Sequence, residues 1–219
     1  MVIVCGIDEA GRGPVIGPMI ICGVLIKEKD MPKLSSLGVK DSKLLTKKTR
    51  KILFNQIKRM VLDFKYIIIT PQEIDNALKS DELNLNWLEA IKTAEIINSF
   101  KNIDKAIIDC PSNNDKAYIT YIHERLKNKK IKLIAEHKAD LIYPVVSAAS
   151  IIAKVIRDRE IEKLKKKYNI DFGSGYPADK KTIEFLKNNY NKYNFFRKTW
   201  SCYTEIAEKE KQKKLNTFT

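Results

Sequence analysis

The sequence contains little cysteine, and none of it is arranged as in zinc or disulfide proteins. Four cysteines occur in 219 residues, and no two of them form a Cys-x-x-Cys pair. A zinc site built from thiolates is therefore disfavoured. Three of the four lie within apolar runs, where a free cysteine behaves as a small hydrophobic side chain. We expect a reduced, cytoplasmic protein.

Long apolar runs are also missing. No apolar stretch approaches the ~18 residues of a membrane-spanning helix, and the chain does not open with a basic segment followed by a long apolar one. These two absences disfavour membrane insertion and secretion.

Acidic residues are scarce relative to basic ones. Lys and Arg number 41 against 27 Asp and Glu, which gives a net charge of +14 and a pI of about 9.5. A balance of this kind favours a nucleic-acid partner. The alternative is a lysine-rich surface that interacts only with solvent, and composition does not separate the two.

Several common site motifs are absent as well. "GRGPVIG" departs from G-x-G-x-x-G, because the third glycine comes one residue late and a strand follows instead of a helix. There is no Walker A motif and no H-E-x-x-H. His123 is predicted to be an ordinary helix residue, and His137 near Asp140 is weak support for a site on its own.

The hydrophobic pattern predicts an α/β domain. The first fifty residues carry β-branched runs bracketed by Gly and Pro, "VIVCGID" and "PMIICGVLI", which predict strands. Helices and strands alternate from about Thr46, the longest helix running from about Tyr143 to Tyr168. This order predicts a mixed sheet with flanking helices and a helical C-terminal part. We place the main domain at residues 1–185 and a basic helical extension at residues 186–219.

Acidic residues stand at the ends of three predicted strands. Asp8 and Glu9 close the first strand, Asp109 closes another, and Asp140 follows a third. Carboxylates a few ångströms apart resist ionising together unless a cation balances them. Mg²⁺ prefers oxygen ligands, and two ions about 4 Å apart can activate water and stabilise the leaving oxygen of a phosphodiester. Taken singly, each acid has an alternative role as a turn former or helix N-cap.

The adjacent pair of acids raises a geometric difficulty. Successive strand residues point to opposite faces of a sheet, so Asp8 and Glu9 cannot both face one cation along a regular strand. Either the strand stops at Glu9, or Glu9 reaches the site from the side. Because Ala-Gly-Arg-Gly follows, we expect the strand to end at Glu9.

Six stretches together resemble ribonuclease HII, the type 2 ribonuclease H, in its archaeal form. They are "GIDEAGRGPVIGPM", "KDSKLL", "AIIDCP", "AEHKAD", "YPVVSAASIIAKVIRDRE" and "GSGYPAD". They follow the family's order through the first four-fifths of the chain. The later stretch "RKTWSCYTEI" resembles the family only loosely, so no site residue is predicted there.

The resemblance implies a fold and a chemistry. The fold is ribonuclease-H-like, with a five-stranded mixed sheet flanked by helices and a helical C-terminal extension. The chemistry is endonucleolytic cleavage with two Mg²⁺ or Mn²⁺ ions, acting on RNA paired with DNA and on single ribonucleotides in duplex DNA. The products would carry 3′-hydroxyl and 5′-phosphate ends. The family's four catalytic, metal-binding acids fall on Asp8, Glu9, Asp109 and Asp140.

The resemblance also assigns substrate contacts. Gly11, Arg12 and Gly13 match the family's reader of the 2′-hydroxyl, and glycine lets a backbone approach a sugar closely. Tyr176 matches a tyrosine that stacks at the junction between ribonucleotide and deoxyribonucleotide; its alternative is an ordinary surface tyrosine. The predicted phosphate contacts are Lys43, Ser147, Ser150 and Lys154. The alternative for the three on the long helix is a solvated helix face.

The C-terminal sequence "QKKLNTF" matches a clamp-binding peptide found in the family, Q-x-x-Φ-x-x-aromatic-aromatic. Gln212, Leu215 and Phe218 fit it, whereas Thr219 replaces the last aromatic residue. The alternative is a frayed basic tail. We expect a monomer with a sliding clamp as its candidate partner.

Two other functions compete with a two-metal ribonuclease. A DNA nuclease such as a junction resolvase is disfavoured by the glycine-rich reader of the 2′-hydroxyl. A nucleic-acid binder without catalysis is disfavoured by the acids, because carboxylates that no cation neutralises repel phosphates.

Overall fold

The fold is built on one mixed sheet. The computed structural model describes residues 1–39 and 45–216, except for the side chains of 214–216. The strands are β1 (Ile3–Ala10), β2 (Met19–Lys27), β3 (Asp63–Ile69), β4 (Lys105–Asp109) and β5 (Lys132–Glu136). They lie in the order β3-β2-β1-β4-β5, with β1–β2 and β2–β3 antiparallel and β1–β4 and β4–β5 parallel. The predicted five-stranded mixed sheet is confirmed.

Helices cover both faces of the sheet. Those described are α1 (Met31–Ser36), α2 (Lys47–Met60), α3 (Pro71–Lys79), α4 (Leu85–Ser99), α5 (Asp115–Arg125), α6 (Ala139–Ile142), α7 (Pro144–Tyr168), α8 (Lys180–Asn189) and α9 (Ser201–Asn216). Side chains of α3, α4 and α5 form the core on one face. Side chains of α1, α2 and α7 form the core on the other. This two-sided burial explains why β1 and β2 are almost continuously apolar.

Strand β1 shows how alternation distributes residues between the faces. Cys5 and Ile7 belong to the core beneath α4, whereas Val4 belongs to the core beneath α7. Gly6 shares the α7 face, and a Cβ there would lie 2.5 Å from the carbonyl carbon of Val145. Glycine at this position therefore lets α7 lie directly against the central strand. The same alternation places Asp8 on the α7 side and Glu9 on the α4 side.

The C-terminal helices pack against the chain that follows β1. Val15, Ile16, Phe172 and Phe196 lie in one fully or nearly fully buried aromatic and aliphatic cluster. Backbone hydrogen bonds join the same regions, since the Arg197 amide donates to the Val15 carbonyl at 2.8 Å. The predicted boundary at residue 185 falls within α8, and the division into two domains stays a prediction.

Two details of the sequence-based assignment are wrong. Residues 31–36 form the short helix α1, whereas no helix was predicted before about Thr46; its Pro32 is accommodated in the first helical turn. The first strand does not stop at Glu9, because Glu9 pairs with Ile21 and Ala10 with Ile20 on β2. The longest helix is confirmed at Pro144–Tyr168. Within the described residues, no helix is both long and apolar enough to cross a membrane.

Candidate active site

Four acids converge on one cleft, as the strand-end pattern predicted. The cleft has a volume of about 480 Å³ and lies where β1 and β4 end side by side. Asp8, Glu9, Asp109 and Asp140 all line it. We refer to these four residues as the acid cluster. The parallel pairing of β1 with β4 brings Asp8 and Glu9 next to Asp109, and α6 supplies Asp140.

Asp8 and Glu9 leave the strand on opposite faces. Asp8, 5% exposed, lies under α7, where the Ser150 hydroxyl hydrogen-bonds it and the positive charge of Lys154 is nearby. Glu9 lies toward α4 and the carboxylate of Glu89. Carboxylate oxygens of Asp8, Glu9 and Asp109 nevertheless lie within 4.8 Å of one another. Glu9 therefore reaches the cluster from the side while its backbone stays in the strand.

The other two acids are held by local structure. The Asp109 carboxylate accepts the backbone N–H of Ala139 at 2.8 Å, which ties the end of β4 to the start of α6. Asp140 follows in α6 and is 4% exposed. Its Oδ1 is buried and has no hydrogen-bond partner among the described residues. A buried carboxylate oxygen without a partner is costly unless something else binds it.

The acid cluster fits a divalent cation. Three of its carboxylates, those of Asp8, Glu9 and Asp109, can offer oxygens to one ion. Asp140 lines the same cleft and has a buried carboxylate oxygen without a partner among the described residues. Hard oxygen donors of this kind suit Mg²⁺ or Mn²⁺ rather than a thiolate-seeking metal. Among the described residues, the group able to hold one ion contains no histidine. His137 Nδ1 lies 2.9 Å from the carbonyl oxygen of Cys110.

Electrostatics make the cluster unfavourable without a counter-charge. Burial raises the pKa of Asp8 well above its ordinary value, and the charges of Glu9 and Asp109 raise it further, while Lys154 opposes them. Burial also raises the pKa of Glu9 to about 7, with Glu89 and Asp109 adding to the shift. The carboxylates thus resist ionising together, and a bound cation would relieve that repulsion.

Residues 11–13, the glycine loop, begin immediately after β1 at the rim of the cleft. Gly11 has φ +84°, a conformation that a residue with a side chain rarely adopts, and a Cβ there would overlap the Arg157 side chain. Arg197 is fully buried and donates to the carbonyls of Gly11 at 2.6 Å and Arg12 at 2.8 Å. Trp200 Nε1 donates to the Gly13 carbonyl at 3.1 Å. All three carbonyls of the loop are therefore held by residues 197–200.

The Arg12 side chain is anchored within the protein. Its Nη1 pairs with Oε2 of Glu89, which is 2% exposed, and its Nη2 donates to Asn86 Oδ1 at 2.7 Å. Asn86 and Glu89 are three residues apart on α4 and so lie on the same face of the helix. Arg12 was predicted as a substrate contact, and its guanidinium is bound to α4 in this structure. Its place in substrate binding stays a prediction.

Tyr176 stands beside the glycine loop. It is 42% exposed and lines the cleft. A Cβ on Gly13 would lie 3.8 Å from its ring, and the Arg157 guanidinium lies 5.1 Å from the ring centroid. Arg157, which is largely buried, also donates to the Ser174 carbonyl at 3.4 Å. One arginine of α7 thus lies against both loops that flank the cleft.

The predicted phosphate contacts differ in how far they are buried. Lys154 lines the cleft and donates to the Ser150 hydroxyl. Ser150 and Ser147 are 0% and 1% exposed, and Ser147 donates to the Asp140 carbonyl. Both serines are buried and hydrogen-bond to residues of the acid cluster. This position does not favour direct contact with a phosphate. Lys43 lies outside the described residues.

Three residues of this site were missed by the sequence analysis. Arg197 lies in the loosely matching stretch "RKTWSCYTEI", and Glu89 lies in α4, which carries none of the matching stretches. Arg157 lies in the matching stretch "YPVVSAASIIAKVIRDRE", but no role was predicted for it. A signal existed for Glu89, because it is an acid at a position that the helical period places toward the core. Nothing local distinguishes Arg197 from the other basic residues around it.

Comparison with known proteins agrees with this geometry. The family model for ribonuclease HII matches residues 5–203. A ribonuclease HII from Pyrococcus furiosus is 49% identical over 213 residues, which cover 95% of this chain and 93% of that protein. The crystal structure of ribonuclease H2 from Pyrococcus horikoshii OT3 is 44% identical with a TM-score of 0.87, covering 95% of this chain and 98% of the other. The predicted ribonuclease-H-like fold is thereby confirmed.

A second solved structure extends the likeness. It is that of the PCNA:RNase HII complex from Archaeoglobus fulgidus, with a TM-score of 0.83 and 37% identity over 91% of this chain and 96% of the other. Two observations now agree: the family match spans nearly the whole chain, and the acids and the glycine loop line one cleft. This protein therefore belongs to the ribonuclease HII family and is a hydrolase of RNA phosphodiester bonds.

Proposed function

We propose that this protein is a divalent-metal-dependent endoribonuclease that cleaves the RNA strand of RNA–DNA hybrids and also cleaves at single ribonucleotides within duplex DNA. The observation that carries the proposal is the sharing of one cleft by the acid cluster, the glycine loop and Tyr176. In this arrangement, the acids that would bind the metal and the residues that would recognise the sugar act on the same phosphodiester.

The acid cluster supports the cleavage step. Asp8, Glu9 and Asp109 would hold Mg²⁺ or Mn²⁺, with Asp140 completing the donor set through its unpartnered oxygen. When bound, two such ions would activate a water and stabilise the leaving oxygen, chemistry that would leave a 5′-phosphate and a 3′-hydroxyl. Ser150, bonded to Asp8, and Ser147, bonded to the Asp140 carbonyl, keep these two acids in place.

The glycine loop supports recognition of the ribose. Its carbonyls are held by Arg197 and Trp200, which fixes the backbone, and its N–H groups would donate to the oxygen of a 2′-hydroxyl. Without side chains at residues 11 and 13, a sugar can approach this backbone closely. The 2′-hydroxyl is the group that separates RNA from DNA, so this contact favours a ribonuclease over a junction resolvase.

Tyr176 supports recognition of the neighbouring nucleotide. Its ring borders the glycine loop and remains accessible. An aromatic ring can stack on a deoxyribose, where a further 2′-hydroxyl would crowd it. Basic residues at the rim, Lys47, Arg50 and Lys154, supply positive charge for phosphates, although Arg50 is also paired with Asp158 at 2.8 Å.

The partner of the C-terminal peptide is part of the proposal. The relative from Archaeoglobus fulgidus was solved in complex with PCNA. Gln212 lies in α9 and is exposed, whereas the side chain of Leu215 and all of Phe218 lie outside the described residues. We propose that this peptide binds a sliding clamp while the catalytic domain acts as a monomer.

One assay tests the main proposal. A labelled DNA duplex with a single ribonucleotide, the same duplex without it, and an RNA–DNA hybrid are incubated with Mg²⁺, with Mn²⁺ or with EDTA. We expect cleavage of the first and third substrates only, only with metal, and with 3′ ends that a DNA polymerase extends. Cleavage of the all-DNA duplex would favour the junction resolvase, and binding without turnover in either metal would favour the non-catalytic binder.

A further inference from the structure

Glu89 has an unusual environment for an acid. It lies on α4, is 2% exposed, and faces a space that Glu9, Thr93 and Tyr118 also line. Of its two carboxylate oxygens, Oε2 pairs with Arg12 and Oε1 has no hydrogen-bond partner in the described part of the chain. Burying an ion pair of this kind rarely stabilises a protein more than apolar residues would. Its presence calls for a purpose other than stability.

The pair joins α4 to the glycine loop. Arg12 is held at two points, by the carboxylate of Glu89 and by the amide oxygen of Asn86. A planar guanidinium held at two points has a fixed orientation, and the length of the side chain then limits where the Cα of Arg12 can lie. Gly11 on one side and Gly13 on the other give the backbone freedom, so an anchored side chain between them restricts where the loop lies.

Two separate supports thus act on the same loop. Arg197 and Trp200 bind its carbonyls from the C-terminal segment, and Glu89 binds its central side chain from α4. The carbonyl support holds the loop against the protein. The α4 support fixes Arg12, the residue between the two glycines, and so fixes the direction of the N–H groups on either side of it.

We propose that Glu89 is a positioning residue that sets the glycine loop for 2′-hydroxyl recognition by binding the Arg12 side chain. The inference rests on the proposed function, since it requires that the loop read the ribose. Glu89 itself does not touch the substrate. Its effect passes through Arg12, with Asn86 as the second point of attachment.

The test is a comparison of binding affinities. The full-length protein binds a DNA duplex with one ribonucleotide and the same all-DNA duplex, with Ca²⁺ in place of Mg²⁺ and the absence of cleavage checked on a gel. The Kd for the all-DNA duplex divided by the Kd for the duplex with one ribonucleotide measures how strongly the protein prefers the 2′-hydroxyl. We expect Glu89→Ala to lower this ratio about tenfold while the all-DNA affinity changes little. Glu89→Gln should keep part of it, because an amide oxygen still accepts from Arg12.

Controls separate positioning from general damage. Glu95 is on the same helix with a side chain 48% exposed and paired with Lys92, so Glu95→Ala should leave the ratio unchanged. The double variant Arg12→Ala with Glu89→Ala should be no worse than Arg12→Ala alone, because both act at one link. Where Glu89→Ala does not fold, as judged by circular dichroism, Glu89→Gln and Asn86→Ala carry the comparison.

The outcomes distinguish this inference from the function beneath it. A wild-type protein that binds both duplexes equally would overturn the reading of the 2′-hydroxyl and the inference together. A wild-type preference that survives in the Glu89 variants would overturn the inference alone. Equal weakening on both duplexes, or additive effects of Arg12 and Glu89, would reduce Glu89 to a structural role.

Discussion

The acid cluster and the glycine loop adjoin along the chain and line one cleft, yet they are held in opposite ways. Burial and neighbouring carboxylates raise the pKa of Asp8 and of Glu9, and a buried oxygen of Asp140 has no partner among the described residues. The loop has every carbonyl bound, by Arg197 or Trp200. The acids proposed to bind metal are therefore packed together despite their mutual repulsion. The loop proposed to recognise the ribose is instead held by hydrogen bonds to all of its carbonyls.

Replacing an acid should produce the largest effect. Asp8→Asn or Asp140→Asn should lower turnover by at least about a thousandfold, because several kcal/mol of charge stabilisation is lost with the metals. Binding of a hybrid should stay the same or tighten, since negative charge is removed while the basic residues remain. Single-turnover cleavage in Mg²⁺ and filter binding measure the two properties. Substantial remaining turnover in either variant would contradict the metal assignment.

The same variants should not destabilise the fold. Asp8 is buried and its charge is opposed by burial, Glu9 and Asp109, so an amide of similar shape removes a cost. The free energy of unfolding of Asp8→Asn in EDTA should equal or exceed that of the wild type. This sign is opposite to the sign expected for the supports of the loop.

Removing a support of the loop should lower stability instead. Arg197→Met deprives the carbonyls of Gly11, Arg12 and Gly17 of a buried charged donor. We expect a loss of about 3 to 5 kcal/mol in the free energy of unfolding, measured by urea titration. Arg59→Met, at an exposed position of α2, is the matched control and should change little. An unaffected Arg197→Met would remove the distinction between the two regions.

This contrast also explains what the sequence predicted. Each of three acids follows or closes an apolar strand, and strand ends in a mixed sheet meet at one edge, so Asp8, Asp109 and Asp140 were found from local pattern. Glu9 was found with them, although its route to the cluster was wrong, because β1 keeps pairing with β2 through Ala10. The mixed sheet and the long helix followed from hydrophobic periodicity in the same way, whereas the number of strands came from the family resemblance.

The supports of the loop could not be found by that route. Arg197 meets the Gly11 carbonyl across 186 positions of sequence, and Glu89 meets Arg12 across 77. Neither belongs to a local pattern, and each depends on how helices settle against the sheet. Buried Ser147 and Ser150 show the same limit, since helical spacing placed them on a face but did not reveal that the face is covered.

Substituting Tyr176 should have an intermediate effect that depends on substrate. Stacking on one nucleotide is worth about 1–3 kcal/mol, so Tyr176→Ala should lose about tenfold to a hundredfold in kcat/KM on a single embedded ribonucleotide. The loss should be smaller on a long hybrid, where most cuts have no junction. Tyr176→Phe keeps the ring and should retain most activity on both. Equal losses on the two substrates would mean that Tyr176 only helps to hold the duplex.

The smallest effect concerns pH in the absence of metal, and it follows from the cost carried by the acid cluster. The pKa of Glu9 rises on folding from an ordinary 4.5 to about 7, chiefly through burial and then through Glu89. The folded state therefore holds a proton that the unfolded state has released between these two values. Its contribution to stability is complete below about pH 4.5 and is lost as the pH rises through about 7.

In EDTA, the melting temperature should fall across this window, and Glu9→Gln should flatten the fall. Added Mg²⁺ should raise the melting temperature most at the upper end, because it binds the ionised carboxylates of the folded state. A melting temperature that rises across the window in EDTA, or an Mg²⁺ effect independent of pH, would contradict the conclusion that ionising the acid cluster costs the folded state stability.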